Sequence, residues 1–543
     1  MFDIIIRNGK NVDGSGRKAF GADVGIKDGL IAEISPDLAA DAQEVIDADD
    51  CVVSPGFIDM HSHSDFTLLV HPEAESKIRQ GVTTELVGNC GGSPAPVPDA
   101  HFDDFMQYMT GLGGIYQKAL APRDWKWKTL AQFYEELADH GVAVNLAPLV
   151  GHSTLRSAVM GYESGPPSPD QLKQLKYLLE KELDLGAFGL STGLIYHPGA
   201  FADRQELTEL AKVVRSYDGI YTTHMRSEGK YLIEAIDEAV YLAENSGASV
   251  EISHMKCEVP ANWGKARDAL RLIDRCRENG NRIDFDQYPY RAYHCGLLEI
   301  FPTWAKENGA EKMIAVLQDD RLLDRVIKDM TQEPYDWDNP MDGLGWDQIR
   351  INGFNRENNL ELEGLTLDRI GEQLSLPPLE ALFRVFEDEQ GGLGMIVFSM
   401  SEDEVIQIMQ HPLGMFGSDG CAVAPYGLTS ARKVHPRFYG TYPRILGRYV
   451  REKKVLSLEQ AVYKMTGLPA RKLALSDRGL IAKGRHADIV IFDENEISDT
   501  ATFENPHQYP LGITHVLVNG LPVIARGEHT GRLPGKVLKR NGG

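Results

Sequence analysis

No window of this 543-residue sequence reaches the roughly eighteen consecutive apolar residues of a membrane-spanning helix. Cysteine is sparse as well. Six residues, Cys51, Cys90, Cys257, Cys276, Cys295 and Cys421, stand far apart with no C-x-x-C spacing, which excludes a dense disulfide framework and leaves reduced thiols as the expectation. Positive charge is in deficit, because 56 Lys and Arg against 79 Asp and Glu leave a net charge of −23. That field repels nucleic acid and anionic membrane surfaces, so neither is an expected partner. It also repels small anionic substrates, so a site for a carboxylate must supply its own cations. The first residues lack a basic stretch followed by an apolar run, and the expected location is the cytoplasm. Low-complexity linkers and internal repeats are missing too. What remains, with 42% hydrophobic residues and 53 glycines, is the composition of a soluble globular protein.

The length leaves room for about three or four typical domains, or for one large α/β barrel with attachments. Both ends of the chain alternate short apolar runs with turn residues, as in Asp3–Arg7, Ala22–Ile26 and Leu30–Ile34, and again in Ala487–Phe492 and Ile513–Ala525. Lys27-Asp28-Gly29 and Asn519-Gly520 are hairpin signals within them. From His61 onward, amphipathic stretches alternate with short β-branched runs that end near His61, Val87, Leu149, Leu190, Thr222, Ile252, Phe285 and Phe416. Eight such units predict a parallel sheet closed into a (β/α)8 barrel. The predicted organisation is a β-sandwich from residues 1–55 and 481–543, and a barrel over 56–480. An inserted helical subdomain at about 291–398 holds the amphipathic run Glu311–Lys328 and a polar loop at Pro334–Gly345.

In such a barrel the chemistry sits where each strand stops. His61 and His63 follow the first run, and residues at i and i+2 on an extended segment point the same way, which suits two imidazoles on one metal. Cys90 follows the second run, His224 the fifth, His254 the sixth and Asp419 the eighth. Each alone has an ordinary reading: a lone Cys is usually a small buried hydrophobe, a strand-end His a structural donor, and Asp-Gly a turn. Six metal- or proton-competent side chains at five of eight strand ends make the ordinary readings fail together. His152 ends the third run without an obvious partner and is expected to be structural or to stand behind the site.

The His61/His63 pair with single His residues after the fifth and sixth strands and Asp419 after the eighth resembles the amidohydrolase superfamily of metal-dependent hydrolases. Gly88-Asn89-Cys90-Gly91, Thr223-His224-Met225-Arg226, Ser253-His254-Met255-Lys256 and Gly417-Ser418-Asp419-Gly420 are similar to its N-acyl-D-amino-acid deacylase (D-aminoacylase) branch. The resemblance runs from Ser54-Pro55-Gly56 to Gly484-Arg485-His486-Ala487-Asp488. It implies that Cys90, His224 and His254 hold one tight Zn²⁺, and that His61 and His63 serve a weaker site. The fourth run, Gly186–Gly193, has no Lys to bridge two metals, unlike the cyclic-amide hydrolases of the superfamily. The expected reaction is hydrolysis of a linear N-acyl-D-amino acid, with Asp419 taking a proton from metal-activated water and passing it to the departing amine. A D-specific dipeptidase, a cyclic-amide hydrolase and an inactive scaffold are the alternatives.

For substrate binding, Lys256 is two residues beyond His254 and faces the same way, so it is the expected carboxylate clamp. Arg226, two beyond His224, is a further candidate. The resemblance adds the hydroxyls of Tyr196 and Tyr290, and Arg291 is the candidate anchor for an acidic side chain. An apolar lining is expected from Phe188, Leu194, Ile195, Met225 and Met255, which favours apolar D-amino acids. His435-Pro436-Arg437 is expected to shape the pocket wall, and Cys421 to be a bystander.

Overall fold

The computed structural model describes residues 1–98, 100–102, 105, 106, 126–332 and 337–540. Eight parallel strands form the centre: β1 (Phe57–Asp59), β2 (Val82–Val87), β3 (Asn145–Pro148, resumed at Val150–Gly151), β4 (Gly189–Gly193), β5 (Ile220–His224), β6 (Ser249–Ile252), β7 (Ile283–Gln287) and β8 (Gly414–Phe416). Neighbours pair in order from β1 to β8. The ring closes where Met60 N donates to Phe416 O at 3.2 Å and Asp419 N donates to His61 O at 2.8 Å. The strands are buried on both faces, which is why they read as continuous apolar runs rather than alternating ones.

The crossover helices follow their local signals. The helix Pro169–Asp184 starts with a capping box between Ser168 and Gln171, carries Pro at its first position and buries Leu175, Leu179 and Leu183 along one stripe. Arg204–Ser216 is capped by Asp203, whose carboxylate accepts from Glu206 N. No helix among the described residues is long and apolar enough to cross a membrane.

The terminal segments form two facing sheets. One contains Leu30–Ser35, Asp23–Lys27, Phe2–Arg7 and Ala42–Asp47. The other joins the two ends of the chain, because Val52–Pro55 pairs antiparallel with Ile489–Phe492, in register Ile489 to Pro55. Ile4, Ile6, Val24, Val53, Ile491 and Leu517 fill the space between them.

The segment after β7 differs from a purely helical insertion. It holds a three-stranded antiparallel sheet of Tyr293–Gly296, Gly394–Val397 and Ile349–Asn352, and His294 and Arg350 both pair with Ile396. The predicted run Glu311–Lys328 is two helices, Gly309–Leu317 and Asp320–Thr331, because the Asp319 carboxylate caps the second by accepting from Arg321 N and Leu322 N. Pro334 of the polar loop lies outside the described residues, and the rest of that loop from Trp337 is turn and coil. The insertion packs around a core of its own, with Phe301, Met313, Val326 and Phe386 at its centre.

Candidate active site

The strand-end residues converge on one buried point at the C-terminal face of the barrel. Cys90 Sγ lies 3.2 Å from His61 Nε2 and 3.6 Å from both His224 Nδ1 and His254 Nε2. His63 Nε2 lies 3.2 Å, and His61 Nε2 3.7 Å, from Asp419 Oδ1. The backbone is bent to achieve this, since Cys90, His254 and Asp419 have φ of 51°, 36° and 49°, in the left-handed region that costs a side-chain-bearing residue on the order of 1 kcal/mol or more. Gly88 and Gly91 flank Cys90 for the same reason: a Cβ on Gly88 would stand 2.4 Å from Leu149 O.

The donor set fits a soft divalent metal. Burial holds His61 down to about 4 and holds His224 and His254 well below the ordinary imidazole value, so all three are neutral and able to ligate at pH 7. Burial, reinforced by Asp419 and Glu228, pushes the Cys90 thiol well above its usual range. The protein alone therefore keeps a thiol there, and a cation among these side chains is what would ionise it. Among the described residues, His61 Nδ1 and His224 Nε2 are buried without hydrogen-bond partners, each 3.5 Å from a carboxylate oxygen, of Asp286 and Glu228 respectively.

Asp419 is tuned in the opposite sense. Burial would raise it, but the Arg437 guanidinium, 3.0 Å from Oδ2, and the hydrogen bond with His63 outweigh burial and hold it well below the carboxylate range. Arg437 thus grips one oxygen while the other faces the histidines.

Several residues that complete the site carried no signal in the sequence. Asp286 on β7 stands 3.5 Å from His61 Nδ1 and accepts from the backbone N–H of His254 at 2.9 Å, which fixes the bent backbone that carries His254. Glu228, in the loop after β5, is 2.9 Å from His254 Nδ1. Beneath the site, buried Lys77 donates to Asp59 Oδ2 at 2.8 Å, Ser418 Oγ at 2.7 Å and Gly420 O at 2.9 Å, tying the turn that bears Asp419 to β1. Burial would depress Lys77, but Asp59 and Glu85 overcome it and keep the ammonium charged.

The cluster opens into a cavity of about 360 Å³. His63, Cys90, His224, His254, Asp419, Lys256 and Tyr196 border it, and Tyr196 packs edge-on against His224 at 5.0 Å. Leu194 and Ile195 line it as expected, whereas Cys421, expected to be a bystander, lines it too. Other expectations differ from the structure. Lys256 faces the cavity, but Glu228 Oε2 meets its ammonium at 2.6 Å, so its charge is already answered. Arg226 is held by Glu238 at 2.9 Å and by the carbonyls of Ala200 and Ala202. Tyr290 lies outside the cavity, against Arg444 and His435, and Arg291 is exposed in a separate groove with Phe398 and Phe503. The backbone bends at Pro289 and Arg291, which ends the strand alternation and leaves Tyr288, not Tyr290, on the cavity wall. Phe188 is buried in the barrel interior beside Ile58 and Leu86, while Met225 joins the main core and Met255 lies behind the cavity. His152 is bound to Glu206 at 2.8 Å and takes no part.

A metal-competent cluster at the C-terminal face of a parallel barrel, flanked by a β-sandwich, defines a class, and comparison with known proteins agrees. The amidohydrolase family model matches residues 44–524, and the chain belongs to that family. Membership makes it a hydrolytic enzyme with a metal cofactor. Within the family its likeness is to the N-acyl-D-amino-acid deacylases. An N-acyl-D-glutamate deacylase of Alcaligenes xylosoxydans xylosoxydans is 35% identical over 541 residues, covering 99% of this chain and 97% of that protein. The crystal structure of N-acyl-D-glutamate deacylase from Bordetella bronchiseptica, complexed with zinc and a phosphonate mimic of the tetrahedral intermediate, superposes with a TM-score of 0.82 at 33% identity, covering 99% of both chains. A D-aminoacylase structure, described as having a binuclear metal centre with one-metal activation and second-metal attenuation, gives 0.80 at 33% identity, over 99% of this chain and 100% of that one.

Proposed function

We propose that this chain hydrolyses N-acyl-D-amino acids to a carboxylate and a free D-amino acid. In this reading Cys90, His224 and His254 hold one tight Zn²⁺, and His61 and His63 serve a weaker position. The observation that carries it is the buried thiol ringed by neutral imidazoles, a donor set soft enough for zinc. Zinc bound there would polarise the amide carbonyl and bring the acidity of a water towards neutrality.

The chain's own residues do the rest. Asp419 starts ionised, takes the proton of the attacking water on the oxygen that faces His63, and delivers it to the amine nitrogen as the C–N bond breaks. An amide nitrogen leaves poorly without that proton. Arg437 keeps the carboxylate charged, lies 4.7 Å over the Tyr288 ring and borders the cavity, with its Nη2 donating to His294 O at 3.3 Å. Lys256 and Arg437, each already paired with one carboxylate, are the cations nearest the site for the substrate's α-carboxylate, with Tyr196 and Tyr288 beside them. The hand of the substrate rests on the relatives, which act on D-amino acids by name. Comparing kcat/KM for N-acetyl-D-leucine and N-acetyl-L-leucine tests the reading: D above L is expected, and L above D overturns it.

A further inference from the structure

With Arg291 outside the cavity, one of the cations that border it belongs to the insertion. Lys306 ends the short helix Thr303–Lys306, and its ammonium lies 2.5 Å from Glu299 Oε2 and 3.4 Å from Glu299 O. Both side chains border the cavity, and they are 7% and 13% exposed. Thr303 and His197 border the same cavity. Burial, and then the nearby Lys306, hold His197 down to about 3, so it is neutral. This wall is polar yet carries no net charge. Across the whole cavity, among the described residues, Arg226, Lys256, Lys306 and Arg437 face five carboxylates, and burial, with Glu228 beside it, pushes one of these, Glu258, well above the carboxylate range, so that four charges of each sign remain.

We propose that Glu299 is a specificity residue: by neutralising Lys306 it closes the side-chain pocket to acidic D-amino acids and leaves a dipolar wall suited to neutral ones. The proposal rests on the deacylase reading and concerns the amino-acid side chain. That arm varies most between substrates, and the insertion gives the cavity more lining than any single barrel loop. An acidic side chain brought to Lys306 would have to share it with Glu299 in a buried setting where two like charges repel strongly. A carboxamide suits the pair better, because it can accept from the ammonium and donate to the carboxylate at once. An apolar side chain leaves the pair undisturbed, since each partner is already satisfied by the other.

The test compares kcat/KM for N-acetyl-D-glutamate with that for N-acetyl-D-glutamine in the zinc-loaded wild type, Glu299→Gln, Lys306→Met and the double variant. The wild type should favour glutamine. Glu299→Gln should raise the glutamate-to-glutamine ratio by at least about tenfold, and the double variant should lose that gain. Thermal midpoint and zinc content, unchanged in Glu299→Gln, separate a charge effect from a folding defect; if Glu299→Gln does not fold, a wild type that prefers glutamate still overturns the proposal. Turnover of both substrates with a ratio unmoved by Glu299→Gln overturns the assignment and leaves the deacylase reading standing. No turnover of either substrate by any of the four proteins overturns both.

Discussion

The strand ends of the barrel and the insertion after β7 border the same cavity, but they hold their residues in different ways. Cys90, His254 and Asp419 sit on left-handed backbone fixed by neighbouring strands and by the Lys77 hydrogen bonds. Lys306, Glu299 and Asp338 sit on turns and short helices packed around the insertion's own core. The first region is built to fix atoms around a reacting bond. The second can vary its side chains without moving a ligand, so chemistry and recognition are carried by separately packed parts.

Substitutions should divide accordingly. Cys90→Ala should remove tightly bound zinc and bring turnover below detection while circular dichroism stays that of the wild type; full zinc occupancy with normal activity would contradict the division. Asp419→Asn should keep its zinc and lose roughly 10²–10⁴-fold in kcat, the usual cost of removing a general acid–base. Retention of more than about a tenth of wild-type kcat would move that role elsewhere.

Asp338→Ala strikes the join between the two regions. Its carboxylate accepts from Ser227 Oγ and from the backbone N–H groups of Glu228, Gly229 and Lys230, at 2.8 to 3.1 Å. Its loss should leave zinc content alone, raise KM more than it lowers kcat, and cost about 1–3 kcal/mol of stability. An equal fall in kcat with unchanged KM would show that the insertion takes part in the chemistry.

The smallest effect lies away from the site. Burial lifts Glu182 from 4.5 to about 7, although its carboxylate accepts from Leu130 N at the start of the helix Leu130–His140. The folded state therefore keeps a proton that the unfolded chain has released, and this contribution to stability declines by about 1.4 kcal/mol per pH unit from about 4.5 to 7. Glu182→Gln, which cannot ionise, should match the wild type below pH 4.5 and exceed it increasingly towards pH 7. A difference independent of pH in denaturant melts would refute the assignment.

The same two regions differ in how far the sequence revealed them. His61, His63, Cys90, His224, His254 and Asp419 were legible because a strand ends where its apolar run ends, and the barrel brings every strand end to one face. Lys256 was placed on the correct face by its spacing from His254, but its partner Glu228 comes from another loop, and no local pattern records such a pairing. Tyr290 came from the resemblance and Arg291 from its place after β7, and neither borders the cavity because the chain bends towards the insertion at Pro289 and Arg291. Arg437 was visible only as part of a motif. The insertion's sheet was hidden between stronger helical periods, since strands of four residues leave little alternation to detect. Asp286 and Lys77 looked like ordinary charges, and only the closed ring puts them behind the site.

Titrating zinc into chelator-stripped protein while following N-acetyl-D-leucine hydrolysis tests the central claim most directly. The account predicts an inactive apoprotein whose activity rises to its maximum with the first equivalent of zinc. Full activity in the stripped protein, or zinc bound without any gain in turnover, would contradict it.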